Sequence, residues 1–351
     1  MTVSTPTGGS PAASPTGDDL YPRLLADIGG TRARFAWQAQ PGAEPSHPQT
    51  LAVADHSGLA QAAAAYLQGL SQHLGADYRA PRSAGLAVAT AVTGDQVNFT
   101  NSHWSFSRLA LCQSLGLARL AVVNDFEALA LALPQLTPAQ WRRHAQPAWP
   151  TTAHAATGTV LAVLGPGTGL GVGAVLKTPV GWQAIAGEGG HATLAAGDAL
   201  EAELIGIVRR QHPHVSAERL LSGTGLPLLH AALAEVNGWP QLEIGEALDA
   251  KTIVAQALAD DRSAAAQTLD LFCAMLGSFA GDVVLTLGAR GGLYIGGGVV
   301  PRFADRFFAS AFRQRFQAKG RFHDYLAGVP SALITDTRAA LNGAAIAIDG
   351  A

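Results

Sequence analysis

Two glycine-rich turns, Asp27-Ile-Gly-Gly-Thr31 and Gly165-Pro-Gly-Thr-Gly-Leu-Gly171, constrain this chain more than any other feature. The first lies between the apolar stretches Leu24 to Ile28 and Ala33 to Trp37, the second between Val160 to Leu164 and Gly171 to Leu176. Strand–turn–strand therefore opens both halves, which points to a duplicated α/β unit. Glycine takes positive φ readily and has no side chain to block a ligand. Such turns expose consecutive N–H groups suited to phosphate oxygens. Two of them facing each other across a cleft would clamp a polyphosphate. Asp27 adds a carboxylate for a metal ion or its waters, and Thr31 a hydroxyl for a phosphate oxygen. Neither turn ends in Gly-Lys-Ser/Thr, so neither is a P-loop. Residues 169–174 also fit the dinucleotide pattern G-x-G-x-x-A, with Glu188 near the spacing of a ribose-binding acid. That pattern needs a helix at the glycines, whereas Val172, Val175, Thr178, Pro179 and Val180 read as strand and turn.

At 351 residues the chain is long enough for two domains, each with its own core. Residues 1–20 are Ser, Thr, Pro, Gly and Ala with almost no large apolar side chain, and are expected to be a disordered tail. A first domain then spans 21–135 and a second 136–335. Within the first, a Pro/Gly/Gln-rich loop is expected at 38–50 and an alanine-rich helix at 58–74. Strands follow at Leu86 to Thr90, Gln96 to Thr100 and Leu120 to Val123, then a helix from Phe126 to Leu133. Residues 134–157, rich in Pro, Trp and His, read as a linker or excursion. Helices are predicted at about 198–210, 216–222, 225–237, 250–259 and 263–288, and a short strand at Leu293 to Ile295 runs into Gly296-Gly-Gly298. The glycines at 277, 281 and 288 suggest close helix packing.

A net charge of −3 without a basic run argues against nucleic acid as a partner. The most apolar long stretch, Leu269 to Leu287, is interrupted by Asp270 and Asp282 and reads as a buried helix rather than a membrane span. No signal peptide is expected, because no basic segment followed by an apolar core begins the chain. Cys112 and Cys273 are far apart in apolar contexts, which fits a reduced cytoplasmic compartment.

Polar residues sit where strands end. Asn124-Asp125 follows a buried strand and precedes a helix. Either residue would cap that helix, but one cap suffices, and strand carboxyl ends are where open α/β sheets bind ligands. Ala186-Gly-Glu188-Gly-Gly-His191 places a carboxylate and an imidazole three residues apart on a glycine-rich loop. These read as a ligand pair, a solvated surface loop, or part of a zinc site, though no third ligand stands at a usual spacing. Glu218 follows Ser216, where Ser as cap and Glu in the first turn would simply favour a helix.

Taken in order, Asp27-Ile-Gly-Gly-Thr-Arg-Ala-Arg34, Asn124-Asp-Phe126, Gly165 to Gly171, Gly187-Glu-Gly-Gly-His191, Ser216 to Gly223 and Gly296-Gly-Gly-Val-Val-Pro-Arg-Phe303 resemble the motif series of bacterial glucokinases, over nearly all of residues 24–348. The resemblance implies the actin-like ATPase (ribonuclease H-like) fold, α/β, with two domains and a cleft between them, the small one completed by a C-terminal helix at 336–351. It implies ATP as phosphoryl donor with Mg²⁺, and glucose as acceptor. Asp125 becomes the general base, and Asn124, Asp125, Glu188, His191 and Glu218 hold glucose. Ala26, Asp27, Ile28, Gly29, Gly30 and Thr31, with Gly167, Thr168 and Gly169, take the nucleotide phosphates, and Gly296, Gly297 and Gly298 lie near the adenosine. A cytoplasmic homodimer is the expected assembly. Two positions depart from the family pattern, Ala26 for Gly and Arg32 for Asn, and the role of Arg32 stays open. A kinase for mannose or fructose is the nearer alternative. A non-catalytic sugar-sensing regulator would need a DNA-binding module that the 20-residue tail does not supply.

Overall fold

The computed structural model describes residues 17–145, 147–149, 155–239 and 248–350. In the first half, the apolar strand β1 (Arg23–Ile28) turns through the glycines into β2 (Arg32–Gln38), followed by β3 (Ser46–Ala52) and helix α1 (Leu59–Leu74). Next come β4 (Ser83–Val88), the small hairpin β5 (Gln96–Asn98) and β6 (Ser105–Ser107), α2 (Arg108–Ser114), β7 (Arg119–Asn124) and α3 (Asp125–Ala132). The second half begins with the short strand β8 (Trp141–Arg143) and the pair β9 (Val160–Pro166) and β10 (Leu170–Thr178), then β11 (Gly181–Ile185). Helices α4 (Ala199–Arg209), α5 (Ala217–Leu220), α6 (Gly225–Asn237), α7 (Ala250–Ala259) and α8 (Ala264–Leu287) lead to β12 (Gly292–Ile295). The chain closes with α9 (Ala304–Ala309), α10 (Phe312–Gln317), α11 (His323–Ala327), β13 (Ser331–Ile334) and α12 (Ala339–Gly350).

The two sheets repeat one design. The first has the order β3-β2-β1-β4-β7 and the second β11-β10-β9-β12-β13-β8. In each, three antiparallel strands are followed by two parallel ones, with β8 added antiparallel at the far edge of the second. The expected repetition is therefore present as topology. The central strands are buried on both faces, which their unbroken apolar runs require.

Helices α3 and α12 pack on each other and separate the sheets, α12 lying on β1, β4 and β7 and α3 on β9, β10 and β11. Glycines make that layering possible. A Cβ on Gly85 would stand 2.1 Å from the Ala344 carbonyl oxygen, and one on Gly343 would stand 1.7 Å from that of Ala128. The buried Arg23 guanidinium ties β1 to α12, donating to the Ala345 carbonyl at 3.1 Å and pairing with Asp349. Helix α8 is the spine of the second core, and 72% of its most apolar stretch is buried, so it is a core helix. Gly277 and Gly281 let α10 lie against it, each Cβ direction blocked by a backbone carbonyl of Phe312 or Phe316, and Gly288 caps α8 in the left-handed conformation at φ 64°.

Three expectations need correction. The 38–50 loop ends early, because 46–52 form β3, an edge strand. Its mostly exposed polar residues and Pro48 hide the alternation that marks a half-buried strand. The stretch 134–157 is more than a linker, since Trp141–Arg143 pair with β13, and Trp149 packs its ring 4.6 Å from that of Tyr294; residues 146 and 150–154 lie outside the description. The expected tail also ends early. Residues 17–20 form a 3₁₀ turn whose Leu20 is buried beside Leu25, Ala36 and Ile348, while 1–16 lie outside the described residues.

Candidate active site

The acceptor side is built where β7 meets α3. Asn124 does cap α3: its Oδ1 accepts from the Phe126 N–H at 2.8 Å, and its Nδ2 donates to the Thr90 carbonyl at 3.3 Å. That cap holds Asp125 at the first helical position, where its Oδ1 accepts from the Phe126 N–H at 2.9 Å. Asp125 is partly buried, and its carboxyl is pushed up to about 7. Desolvation is the main cause, followed by the negative charges of Asp27 and Glu188, against the pull of the Phe126 N–H. Carboxylates from two other sequence motifs thus act on Asp125. Asp27 is itself raised by burial, with the Arg34 guanidinium pulling the other way.

The start of β10 is the hub that gathers the remaining acidic and basic groups. Gly169, Gly171 and Gly173 alternate along the chain and therefore face one side. A Cβ on Gly169 would meet the Glu218 carboxylate at 2.2 Å, one on Gly171 the Phe126 ring at 1.8 Å, and one on Gly173 the Phe126 carbonyl at 2.5 Å. The Leu170 N–H donates to Glu218 Oε2 at 2.9 Å, and Glu218 Oε1 lies 3.9 Å from His191 Nε2. Gly190, in the loop that carries Glu188 and His191, sits so close to the Leu170 carbonyl that a Cβ would be 1.9 Å from it. Ser216 does cap α5, accepting from the Arg219 N–H, and so presents Glu218 from its first turn. Glu188 and His191 are exposed and Glu218 is partly so.

On the other side, a cleft of about 1030 Å³ is lined by Asp27 and Gly29 from the first turn, Gly167 and Thr168 from the second, and Gly298. The two turns do face one space. Their glycines differ from the expectation in one respect. Gly297, at φ 77°, has positive φ; Gly29, Gly30, Gly167, Gly169, Gly296 and Gly298 do not. Clearance is the commoner reason for glycine here: Gly30 passes Asn101, with a Cβ 2.6 Å from its carbonyl oxygen, and Gly296 passes Leu129. Gly167 and Thr168 are held by the Gly223 N–H and the Thr224 hydroxyl, which donate to their carbonyls at 2.8 and 3.1 Å.

Ala26 and Ile28 are fully buried within β1, whose backbone pairs with β2 on one side and β4 on the other, so neither lines the cleft. Thr31 is exposed beside it, and its carbonyl accepts from the Val53 N–H. Sequence reasoning missed several lining residues, among them Arg34, Thr50, Thr224, Asp249, Lys251 and Arg302. The i, i+2 spacing of Arg32 and Arg34 on β2 was the available signal for a shared face. Lys251 carries no such signal, being brought in only by the packing of α7. No helix starts at residues 169–174, which run into β10, so the dinucleotide pattern there is without its structural context.

The family model for glucokinase matches residues 24–351. The chain belongs to the glucokinase family. It is 48% identical to the glucokinase of Aromatoleum aromaticum over 96% of this chain and 98% of that one. It is 43% identical to the glucokinase of Paramagnetospirillum magneticum over 92% and 96%. It also matches the bifunctional protein glk of Paraburkholderia xenovorans at 42% identity, spanning half of that longer protein. Among solved structures, a glucokinase from an Antarctic psychrotroph superposes with a TM-score of 0.81 at 37% identity, over 94% of this chain and 99% of that one. A ROK family glucokinase from Streptomyces griseus, solved with glucose and AMPPNP, shares the fold at a TM-score of 0.58 and 16% identity, over 94% and 100% of the two chains. The expected actin-like ATPase fold is the one observed, and family membership makes the protein a sugar kinase, a phosphotransferase with an alcohol acceptor.

Proposed function

We propose that this protein is a glucokinase that transfers the γ-phosphoryl group of ATP to the 6-hydroxyl of glucose. The observation that carries the reading is Asp125. A carboxyl pushed up to about 7, within electrostatic reach of the Asp27 that lines the cleft between the two glycine turns, has the affinity a general base needs near neutral pH. As the sugar oxygen attacks phosphorus, Asp125 accepts the hydroxyl proton and the ADP oxygen leaves. Its neighbours Asp27 and Glu188 raise its affinity for that proton. Glu188, His191 and Glu218 supply acceptors and donors for the sugar hydroxyls, and Asn124 holds the helix start that carries the base. The donor phosphates are assigned to Asp27, Gly29, Gly167 and Thr168, with Gly30, Thr31 and Gly169 in the same turns, and the adenosine to Gly296, Gly297 and Gly298.

Mg²⁺ fits this site through Asp27, whose carboxylate faces the cleft; the ion takes oxygen ligands and is commonly held by one or two carboxylates plus substrate phosphates. When bound, it offsets charge on the transferring phosphates. We take 21–135 with 336–351 as the small domain and 136–335 as the large one, acting in the cytoplasm.

A coupled assay of the purified chain against a panel of hexoses and phosphoryl donors tests the assignment. Glucose with ATP is expected to give the highest kcat/KM. A clear preference for mannose or fructose would replace the acceptor, and no turnover with any hexose would return the site to a sensing role.

A further inference from the structure

The donor cleft carries more positive charge than the proposed roles use. Four cations line it, Arg32 and Arg34 from β2, Lys251 from the first turn of α7 and Arg302 after the triple glycine, against two acids, Asp27 and Asp249. The protein as a whole has a net charge of −3, so this cationic excess is local. Two of the six charges are already engaged. Arg34 sits across the sheet from Asp27 and donates to the Thr337 carbonyl. Asp249 caps α7, its Oδ1 accepting from the Thr252 N–H at 2.7 Å. Arg32, Lys251 and Arg302 are exposed, and none forms an ion pair with a described acidic side chain. They stand on opposite walls, Arg32 on the first sheet and the other two on the second half of the chain. Glycine turns supply only partial positive charge from N–H groups, which leaves most of a triphosphate's charge to be met by something else.

We propose that Arg32, Lys251 and Arg302 bind the phosphate chain of the nucleotide donor from both walls of the cleft, so that donor affinity depends on charges outside the glycine turns. This rests on reading the cleft as the donor site. Guanidinium groups suit it because they present forked N–H donors to phosphate oxygens, while Lys251 acts as a point charge. Arg32 gains a function by this assignment: it follows the first turn directly, on the same face of β2 as Arg34, and reaches the phosphates from the wall that carries Asp27.

Steady-state kinetics of Arg32→Gln, Lys251→Gln and Arg302→Gln, each with ATP and glucose varied separately, tests the proposal. Losing one charge-assisted contact should raise the ATP KM about ten-fold, with the glucose KM unmoved. Inhibition by ADP should weaken in parallel, whereas inhibition by adenosine, which has no phosphates, should not. Arg32→Lys should restore part of the loss, and the fall of kcat/KM for ATP with added salt should become shallower in each Gln variant. An ATP KM within two-fold of the parent in all three variants overturns the proposal while leaving the donor-site reading intact. Equal weakening of adenosine and ADP also overturns it, since that marks a distorted site rather than lost phosphate contacts. If the parent protein shows no ATP-dependent phosphorylation, the donor-site reading itself fails and the proposal with it.

Discussion

Asp125 concentrates the conflict between stability and activity in a single side chain. Its carboxyl ordinarily titrates at 3.8 and in the folded protein is pushed up to about 7, chiefly by burial and then by the charge of Asp27. A raised affinity for the proton means that ionising Asp125 destabilises the fold. The effect is absent below pH 3.8, grows between there and about 7, and is complete above 7. Asp125→Asn removes that charge and should stabilise the protein by roughly 2–4 kcal/mol at pH 8, with little gain at pH 4. The same change should lower kcat by about 10²–10⁴, because Asn keeps the shape but cannot accept the proton. Thermal melts at both pH values and the coupled assay check the two arms. The parent enzyme's kcat/KM for glucose should rise with pH up to about 7 and then level off. A variant with near-normal kcat, or one less stable than the parent at pH 8, would remove the base assignment.

Among the elements, β10 decides how the site is put together. Its alternating glycines were legible as a motif, but their job was not. The sequence suggests N–H groups for phosphate. The structure uses Gly169 and Gly171 to admit the Glu218 carboxylate and the Phe126 ring, because a strand face without side chains lets a helix start and a second helical turn approach it together. Gly171→Ala would drive a methyl group into the Phe126 ring, 1.8 Å away, and should cost about 1–3 kcal/mol. It should also lower kcat, since Phe126 follows Asp125. Gly298→Ala has nothing within 4 Å of the added methyl group and should leave stability within about 0.5 kcal/mol. Chemical denaturation of the two variants separates clearance from donor contact. Strands β3 and β8 were missed for the opposite reason: at a sheet edge, pairing is imposed by the neighbouring strand and leaves little apolar pattern behind.

At the scale of the whole molecule, the proposed glucose ligands are divided. Asp125, held by the Asn124 cap, follows the first sheet, and Glu188, His191 and Glu218 belong to the second half, with α3 and α12 layered between the sheets. A sugar touched by both groups bridges the two halves, so binding is expected to draw them together and exclude water from the reacting phosphate. Glucose alone should therefore make the protein more compact in small-angle scattering and slow amide exchange on both sides of the cleft. Protection on one side with unchanged dimensions would mean that the sugar site is built on a single half.

Local features were legible in the chain: the two strand–turn–strand units, the long buried α8, the capped starts of α3 and α5, and the motif order that marks the family. These rest on interactions within a few residues, namely apolar runs, glycine turns and side-chain caps, and such interactions leave their pattern in the chain. Tertiary structure alone decided which of those parts meet. It brought Asp27, Asp125 and Glu188 into one electrostatic neighbourhood, seated Glu218 on the Leu170 N–H, and placed Arg32, Lys251 and Arg302 on one cleft. Proximity between residues separated by dozens to hundreds of positions depends on how two sheets and their helices pack, and packing is a property of surfaces that no single stretch of sequence contains.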